Sequence, residues 1–588
     1  MTMLDYRFEL KLDSTPEQLW PLVSDTNRFN RDAGVPEVEE LGGGENAHRR
    51  LRLSRLGVGV EWEEEPFEWV SPHRFSVVRR YTRGPVAELR TTATLEPEGG
   101  GTRLVYDVRA RPRGLLGRPA VALQVGVVSR RRFISVFRAY DRAARAGAGT
   151  LPVPKPELAP GAARRIDAAK AAMLTVGVPA ADVDRLAALV TDGDELTVVT
   201  IRPYALADAW GRDRRETLEL CLQATRHGLL ELRWELICPL CRNSAASGTS
   251  LDAVAGTIHC ETCRIDLTAD VSRSVEVAFR PTEAIRPVAH TRFCVAGPQV
   301  TPHVVAQQLL PAGESRTLEL RLEPGRYRLR ALGLDGGVPV DVAADGPRET
   351  LVRLDSGWPV GDLRLGEDAT VTIENASAGE RLVMLERTAW SDTATTAAEV
   401  TALQAYRDLF AAEALRVGEP ISVGTLTVVF TDLRGSTRYY REVGDAPAFG
   451  SVLGHIDVLR DAVAGEGGAV VKAMGDATMA VFPRPVAAVR AMLKGLEATA
   501  GRPLALKIGI HTGPCIAVSQ NGVLDYFGST VNLAARLVSL SPGGGLVVSE
   551  AVLADPEVAE HGLRAEQVDA GALKGFEDEA LSLWRVRP

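Results

Sequence analysis

Two aspartates and two pairs of cysteines are the residues of this 588-residue chain whose types and spacing point to chemistry. Asp432 follows the apolar run TLTVVF (425–430) and opens TDLRGST ahead of a helical pattern. Asp476 sits in the Gly475-Asp476 turn of VVKAMGDATMAVF (470–482), a stretch that reads as a buried β-hairpin except for Lys472 and Asp476. In a β-α-β-β unit the first strand and the hairpin lie side by side, so the two carboxylates can converge on one edge. Converging carboxylates with free water positions suit Mg²⁺ or Mn²⁺, hard ions that take oxygen ligands and bridge phosphates. Two such ions can stabilise an attacking and a leaving oxygen together. The helix start after Asp432 also exposes backbone N–H groups near Gly435 and Ser436, a favourable site for polyphosphate. These residues together suit a nucleoside triphosphate.

The cysteines ask for a different metal. Cys238, Cys241, Cys260 and Cys263 form C-x2-C-x18-C-x2-C, a spacing at which two thiolate knuckles complete a tetrahedral Zn²⁺ site. His259 is redundant beside four sulfurs, and a closed site leaves no position for a catalytic water. One structural Zn²⁺ is the expectation. Cys221, Cys294 and Cys515 read as buried thiols, and a chain without a secretion signal argues for metal over disulfides.

The elements that must hold these groups exceed one core, since 588 residues imply several domains. Composition is ordinary for globular protein, with 45% hydrophobic and 24% charged residues and a net charge of −8, which gives no bulk signal for nucleic-acid binding. The amino terminus lacks a basic region followed by an apolar core, and no stretch approaches the ~18 apolar residues of a membrane span. A cytoplasmic protein without a transmembrane segment is expected.

Residues 1–145 begin with alternating YRFELKL, and a short helix opens at Ser14-Thr15-Pro16-Glu17. HRFSVVRRY, ELRTTATLEP and TRLVYDVRAR read as an antiparallel meander closed by a long basic helix from Leu115 to Arg145. This order, with the text STPEQLWPLVSD, resembles the START-like helix-grip family, also called polyketide-cyclase-like. The resemblance implies a curved sheet and long helix around a cavity for an apolar small molecule. The same pattern also fits a helix that packs on its sheet with side chains filling the interior.

Four prolines in LPVPKPELAP (151–160) mark a linker over 146–163. Residues 164–272 combine amphipathic helical text and the strand LLELRWELIC, read as a winged-helix-like unit with the zinc ribbon. No basic cluster with interleaved aromatics accompanies it, so a rigid adaptor is expected and no nucleic-acid partner. Residues 273–392 are β-rich and fit a small sandwich. A linker helix follows within 393–420, with a capping box at Thr396 and Glu399. Its Val400, Leu403 and Phe410 recur at heptad-like spacing, and Arg407 falls on the same seam. Pairing across a dimer and packing on the neighbouring domain are both open.

From 421 to 588 the pattern is β-α-β-β-α-β, a ferredoxin-like, palm-type core. FTDLRGST, VVKAMGD, GIHTGP and DYFGSTVNLAAR, in this order, resemble the class III nucleotidyl cyclase catalytic domain. The resemblance implies two Mg²⁺ or Mn²⁺ ions per active site, held by Asp432, the backbone of Leu433, and Asp476. It assigns Asn532 and Arg536 to the ribose and the transferring phosphate, Lys574 in ALKGF to the triphosphate, and Lys472 and Asp525 to the purine edge. A lysine donating to N1 and an aspartate accepting from the amino group fit adenine, whereas guanine presents the reverse. Such mismatches can discriminate by about 10⁴-fold.

The family builds its sites between two chains. Lys472 and Asp476 would then serve different sites of a homodimer. The expected whole is a multidomain α+β protein with a START-like domain, a zinc ribbon, a sandwich and a cyclase domain. The expected activity is that of an adenylate cyclase making 3′,5′-cyclic AMP from ATP under control of the upstream domains. Guanylate cyclase, or a silent nucleotide-binding module serving the START-like domain, are the alternatives.

Overall fold

The computed structural model describes residues 2–587 except 44–46, 56–57, 148–150, 152–154, 251–253, 255–256, 261–264, 269–273, 290, 356, 360, 389–393, 411–420, 521–522, 569–572, 574 and 577–580. In the N-terminal unit Leu4–Leu12, Gly101–Pro112, Val86–Glu98 and Arg74–Tyr81 pair antiparallel in that spatial order. Thr15 caps the helix Pro16–Val23, with Gln18 completing the capping box. The closing helix has a discontinuity the sequence does not announce. It runs Gly114–Leu123, passes through a π-helical turn at Gln124–Ser129, and resumes as Arg130–Arg145. Phe29, Tyr106, Phe133, Phe137 and Tyr140 occupy the space between helix and sheet, with ring centroids 4.9–6.5 Å apart.

This sheet does not stop at the edge of the unit. Glu68–Val70 pairs with Val304–Leu310, whose other neighbour is Arg381–Arg387, so one hydrogen-bonded sheet continues into the β-rich region. Trp69 Nε1 donates to the Val304 carbonyl at 2.8 Å and Gln307 Nε2 to that of Phe67 at 2.7 Å. A second sheet of Ser315–Arg321, Asp368–Asn375 and Glu349–Leu354 packs against the first through Leu318, Leu320, Val352, Val371, Tyr327 and Val340, the two-layer sandwich that alternating strands favour.

Between these lie helices Ala162–Thr175, Ala180–Asp192, Pro203–Trp210 and Arg214–Arg226, with a small sheet ordered Ser244–Gly248, Leu230–Ile237, Val275–Pro281. Val275–Pro281, which the sequence places in the β-rich unit, pairs with Leu230–Ile237 instead.

Among its described residues the linker holds two short helices, Ala397–Thr401 and Gln404–Phe410, and the Thr396–Glu399 capping box is present. Tyr406 packs edge-on against Trp234 at 6.0 Å. Val400, Leu403, Tyr406 and Phe410 join a core shared with Leu426, Val428, Ala469, Val471, Met479, Leu524 and Tyr526 of the C-terminal sheet. Within the chain this seam therefore packs on its own neighbouring domain.

That C-terminal sheet is ordered Ala469–Met474, Ala477–Phe482, Ile421–Arg434, Ala505–Gln520, Gly545–Ser549, Leu583–Arg587, Arg564–Val568, with Val523–Phe527 paired to Ala505–Gln520. Alternation sorts its side chains between two cores. Val429, Leu433, Ala480 and Phe482 face helices Asp445–Gly465 and Pro485–Ala498. Val428, Met479 and Val481 face the linker. Strand, helix, hairpin, helix and strand follow in the expected β-α-β-β-α-β order.

Candidate active site and candidate zinc site

Asp432 lies near the end of Ile421–Arg434. The antiparallel register ends at Phe430↔Met479 and Thr431↔Thr478, where the two threonine hydroxyls share a 2.6 Å hydrogen bond. Asp432 is one residue past that rung on one strand, and Asp476 is two residues before it on the other. The two carboxylates therefore stand at the same end of adjacent strands. Gly475 makes the turn at φ 69°, a left-handed conformation that glycine adopts without a Cβ clash. Asp476 Oδ2 is buried and has no hydrogen-bond partner among the described residues. A buried anionic oxygen left unmatched is costly, so the donor set and this orphaned atom fit a divalent cation.

Leu433 is buried in the helix-side core, which leaves only its backbone for the site. Gly435, at φ 76°, is the N-cap of helix Ser436–Val443, and Ser436 begins it. Lys507, which the sequence did not single out, is the cross-strand partner of Asp432, with Nζ 3.4 Å from Oδ2. Only the register reveals that the lysine of LALKIGIHTG reaches the aspartate.

Lys472 and Asp525 meet: Nζ to Oδ2 is 2.6 Å, and the ammonium lies 5.8 Å from the Phe527 ring centroid. Asp525 is nearly buried and accepts from the backbone N–H of Tyr526 at 2.8 Å. A donor and an acceptor are thus fixed side by side. Asn532 and Arg536 lie one turn apart on helix Ser529–Leu540, whose Leu533, Ala534, Leu537 and Val538 are buried. The helix sits so close to the sheet that a Cβ on Gly509 would lie 2.6 Å from Val538 N and 2.7 Å from Ala534 O. Asn532 and Arg536 are exposed on the opposite face, and neither side chain makes a hydrogen bond or ion pair among the described residues. Lys574 lies outside the described residues. Burial pushes the His511 imidazole down to about 4, and its Nδ1 is 2.7 Å from Ser549 Oγ, a structural role.

The second cluster is buried throughout. The Sγ atoms of Cys238, Cys241 and Cys260 all lie within 4.8 Å of one another, Cys241 to Cys260 at 3.6 Å. Ligands around one tetrahedral Zn²⁺ with Zn–S of about 2.3 Å are about 3.8 Å apart, so three sulfurs fit. Cys263 lies outside the described residues. His259 is exposed, with Nδ1 2.8 Å from Asp266 Oδ1. Next to the cluster, His303 Nε2 lies 2.9 Å from the Leu240 carbonyl oxygen, linking the first knuckle to the sandwich. Among the described residues no helix is long and apolar enough to cross a membrane.

Residues 419–584 match the adenylate and guanylate cyclase catalytic domain, residues 4–136 the polyketide cyclase, dehydrase and lipid transport family, and residues 167–293 a family of unknown function. An uncharacterized protein of Mycobacterium tuberculosis is 33% identical over 148 residues, 25% of this chain and 50% of that protein. A pH-sensitive adenylate cyclase of the same species is 31% identical over 192 residues, 31% of this chain and 47% of that protein. The chain spans about half the length of these relatives. Among solved structures, an adenylyl cyclase of P. aeruginosa is 25% identical, covering 29% of this chain and 96% of that chain, with a TM-score of 0.25. A guanylate cyclase domain from Catenaria anguillulae is 20% identical, covering 28% and 97%, with a TM-score of 0.26. The C-terminal region, residues 419–584, is an adenylate and guanylate cyclase catalytic domain, carried on a chain that begins with a START-like domain.

Proposed function

We propose that the protein is an adenylate cyclase, forming 3′,5′-cyclic AMP and pyrophosphate from ATP. The observation that carries the choice of base is the Lys472–Asp525 pair at 2.6 Å. Without a nucleotide the two groups satisfy each other. An adenine edge takes both over, N1 accepting from Lys472 and the amino group donating to Asp525, while guanine would set N–H against ammonium and carbonyl against carboxylate.

Asp432, Asp476 and the Leu433 carbonyl would hold two Mg²⁺ or Mn²⁺ ions. When bound, these supply a more acidic 3′-hydroxyl and neutralise charge on the departing pyrophosphate. The chain's own groups orient the reaction. Lys507 lies beside Asp432, and the N–H groups at Gly435 and Ser436 open the helix that follows it; both suit the triphosphate, as does Lys574 by the family resemblance. Asn532 positions the ribose so that its 3′-oxygen, giving up its proton to solvent water, attacks the α-phosphorus in line. The new O3′–P bond forms as the bond from the α-phosphorus to the bridging oxygen breaks, and Arg536 stabilises charge on the transferring phosphoryl group.

Asn532 and Arg536 face solvent, and a clamp open to solvent is completed by a second surface. The exposed Met474, Ile516 and Phe527 beside the purine pair suit a homodimer in which each chain completes the other's site. The cysteine cluster would hold one structural Zn²⁺. An apolar ligand in the START-like domain would have to displace the aromatic cluster around Phe133 and Phe137.

The test is incubation of purified full-length protein with ATP or GTP and Mg²⁺ or Mn²⁺, beside Asp432→Ala and Lys472→Glu. Cyclic AMP from the wild type and loss of product in Asp432→Ala are expected. Undiminished product from Asp432→Ala, or cyclic GMP as the main product of the wild type, overturns the reading.

A further inference from the structure

Lys472 and Asp525 are 2.6 Å apart, yet no hydrogen-bond ladder joins their strands. Among the described residues Ala469–Met474 is the edge strand and Val523–Phe527 pairs only with Ala505–Gln520, so Ala477–Phe482, Ile421–Arg434 and Ala505–Gln520 lie between them in the sheet order. Neighbouring strands are about 4.8 Å apart, so sheet order alone would hold the two residues far from contact. The hairpin carrying Asp525 instead curls over the face that the linker covers, and it is the linker that ties the two strands together.

The second linker helix, Gln404–Phe410, touches both. Gln404 Oε1 accepts from the backbone N–H of Val470 at 2.8 Å, two residues before Lys472. One turn later, Arg407 Nη2 donates to the carbonyl of Leu524, the residue before Asp525. The same guanidinium lies 5.7 Å from the ring centroid of Tyr526, the residue after Asp525, and Tyr526 donates its hydroxyl to the Thr401 carbonyl at 3.0 Å. Arg407 is buried, so these bonds form out of water and are correspondingly directional. A buried arginine on an otherwise apolar seam is costly where its donors go unused; Nη1 of Arg407 has no hydrogen-bond partner among the described residues, and Nη2 goes to the backbone that presents Asp525.

We propose that Gln404 and Arg407 are positioning residues for base recognition: the linker helix sets the separation of Lys472 and Asp525, and through it the preference for adenine. The upstream domains then reach the nucleobase pocket by a short route, since Tyr406 of the same helix packs on Trp234 of the middle unit. This rests on the adenylate cyclase reading given above.

The experiment compares full-length Gln404→Ala, Arg407→Lys, Arg407→Met and the core variant Leu403→Ala with wild type, measuring kcat and KM for ATP and GTP and thermal unfolding. Gln404→Ala and Arg407→Met are expected to raise KM for ATP more than they lower kcat. They should shrink the ATP-to-GTP ratio of kcat/KM by about tenfold, the scale of one or two lost buried hydrogen bonds, with Arg407→Lys between them and wild type. Leu403→Ala, which removes apolar packing but no side-chain hydrogen bond to either strand, is expected to lower the unfolding temperature and leave the ratio alone. If Arg407→Met does not fold, Gln404→Ala decides. An unchanged ratio in folded Gln404→Ala and Arg407→Met overturns the inference while leaving the cyclase reading standing. If wild type forms no cyclic nucleotide, that reading fails, and the base preference is read instead from equilibrium binding of 3′-deoxy-ATP against 3′-deoxy-GTP. A wild type with no preference there overturns both.

Discussion

The two candidate metal sites of this chain are opposites. The cysteine cluster is enclosed in the core: Cys238, Cys241 and Cys260 are all buried, and their sulfurs are mutual neighbours. The aspartate pair is at a sheet end, with one buried oxygen of Asp476 unmatched and Lys507 alongside. Soft ligands arranged around a point make a staple that favours one fold. Hard ligands left incomplete favour a cation that still has positions for phosphate and a reacting oxygen. On the proposed reading, the first site would use its coordination for structure and the second would keep positions for substrate.

That contrast can be broken most sharply at the aspartates. Asp432→Ala and Asp476→Ala are expected to lower kcat by about a thousandfold or more. The unfolding temperature of Asp476→Ala should stay the same or rise, since the substitution removes an unmatched buried oxygen. A large fall in stability would make Asp476 a structural residue and erase the difference between the sites. At the cysteines the order reverses. Elemental analysis of the wild type is expected to give one Zn²⁺ per chain, and Cys238→Ser should lose it and lower the unfolding temperature by about 10 °C, from several kcal/mol of lost metal binding. Unaltered zinc content would refute the cluster as its ligand set.

A smaller effect sharpens the idea that the open site is shared between chains. Asp476→Ala and Lys472→Ala are each expected to be inactive, and an equimolar mixture to recover about a quarter of wild-type activity. Half of the dimers would be mixed, and each mixed dimer would hold one intact site of two. No recovery would place both residues in the same site. The smallest effect is on pH dependence. Burial holds the folded His511 ring neutral, its pKa pushed down to about 4 from an ordinary value near 6.5. As pH falls below about 6.5 the unfolded chain takes up a proton that the folded chain refuses, so stability is lost progressively down to about pH 4. In His511→Gln, unfolding temperatures measured from pH 7 to pH 4 should fall less steeply. An identical slope would show that the ring is not the group responsible.

Much of the catalytic region was legible beforehand because its signals are local. A strand ending in an aspartate, a Gly-Asp turn, the glycines of GIHTGP and an i, i+4 pair on a helix each state their geometry within a few residues. The cysteine spacing does so as well. What escaped had no local signature. Lys507 reaches Asp432 only through strand register. The strand Val275–Pro281 found its partner across a knuckle. The basic closing helix hides a π turn, and the sandwich shares a sheet with the START-like unit through Glu68–Val70, a pairing that connects residues more than two hundred positions apart.

By itself, then, the sequence determined which atoms are available: carboxylates suited to a hard cation, thiolates suited to a soft one, and a lysine and an aspartate able to donate and to accept. Periodicity also determined most of the elements that carry them, because burial of one face per strand or helix is a short-range rule. Tertiary structure alone decided that Lys472 meets Asp525 across strands that share no ladder, and that the heptad-like seam of the linker closes on its own catalytic sheet. Arg407, a misfit in that seam when read as a coiled coil, acquires a partner only when Leu524 arrives from 117 residues further along the chain. Such contacts depend on how a sheet curls and what covers its open face, and no window of sequence encodes that.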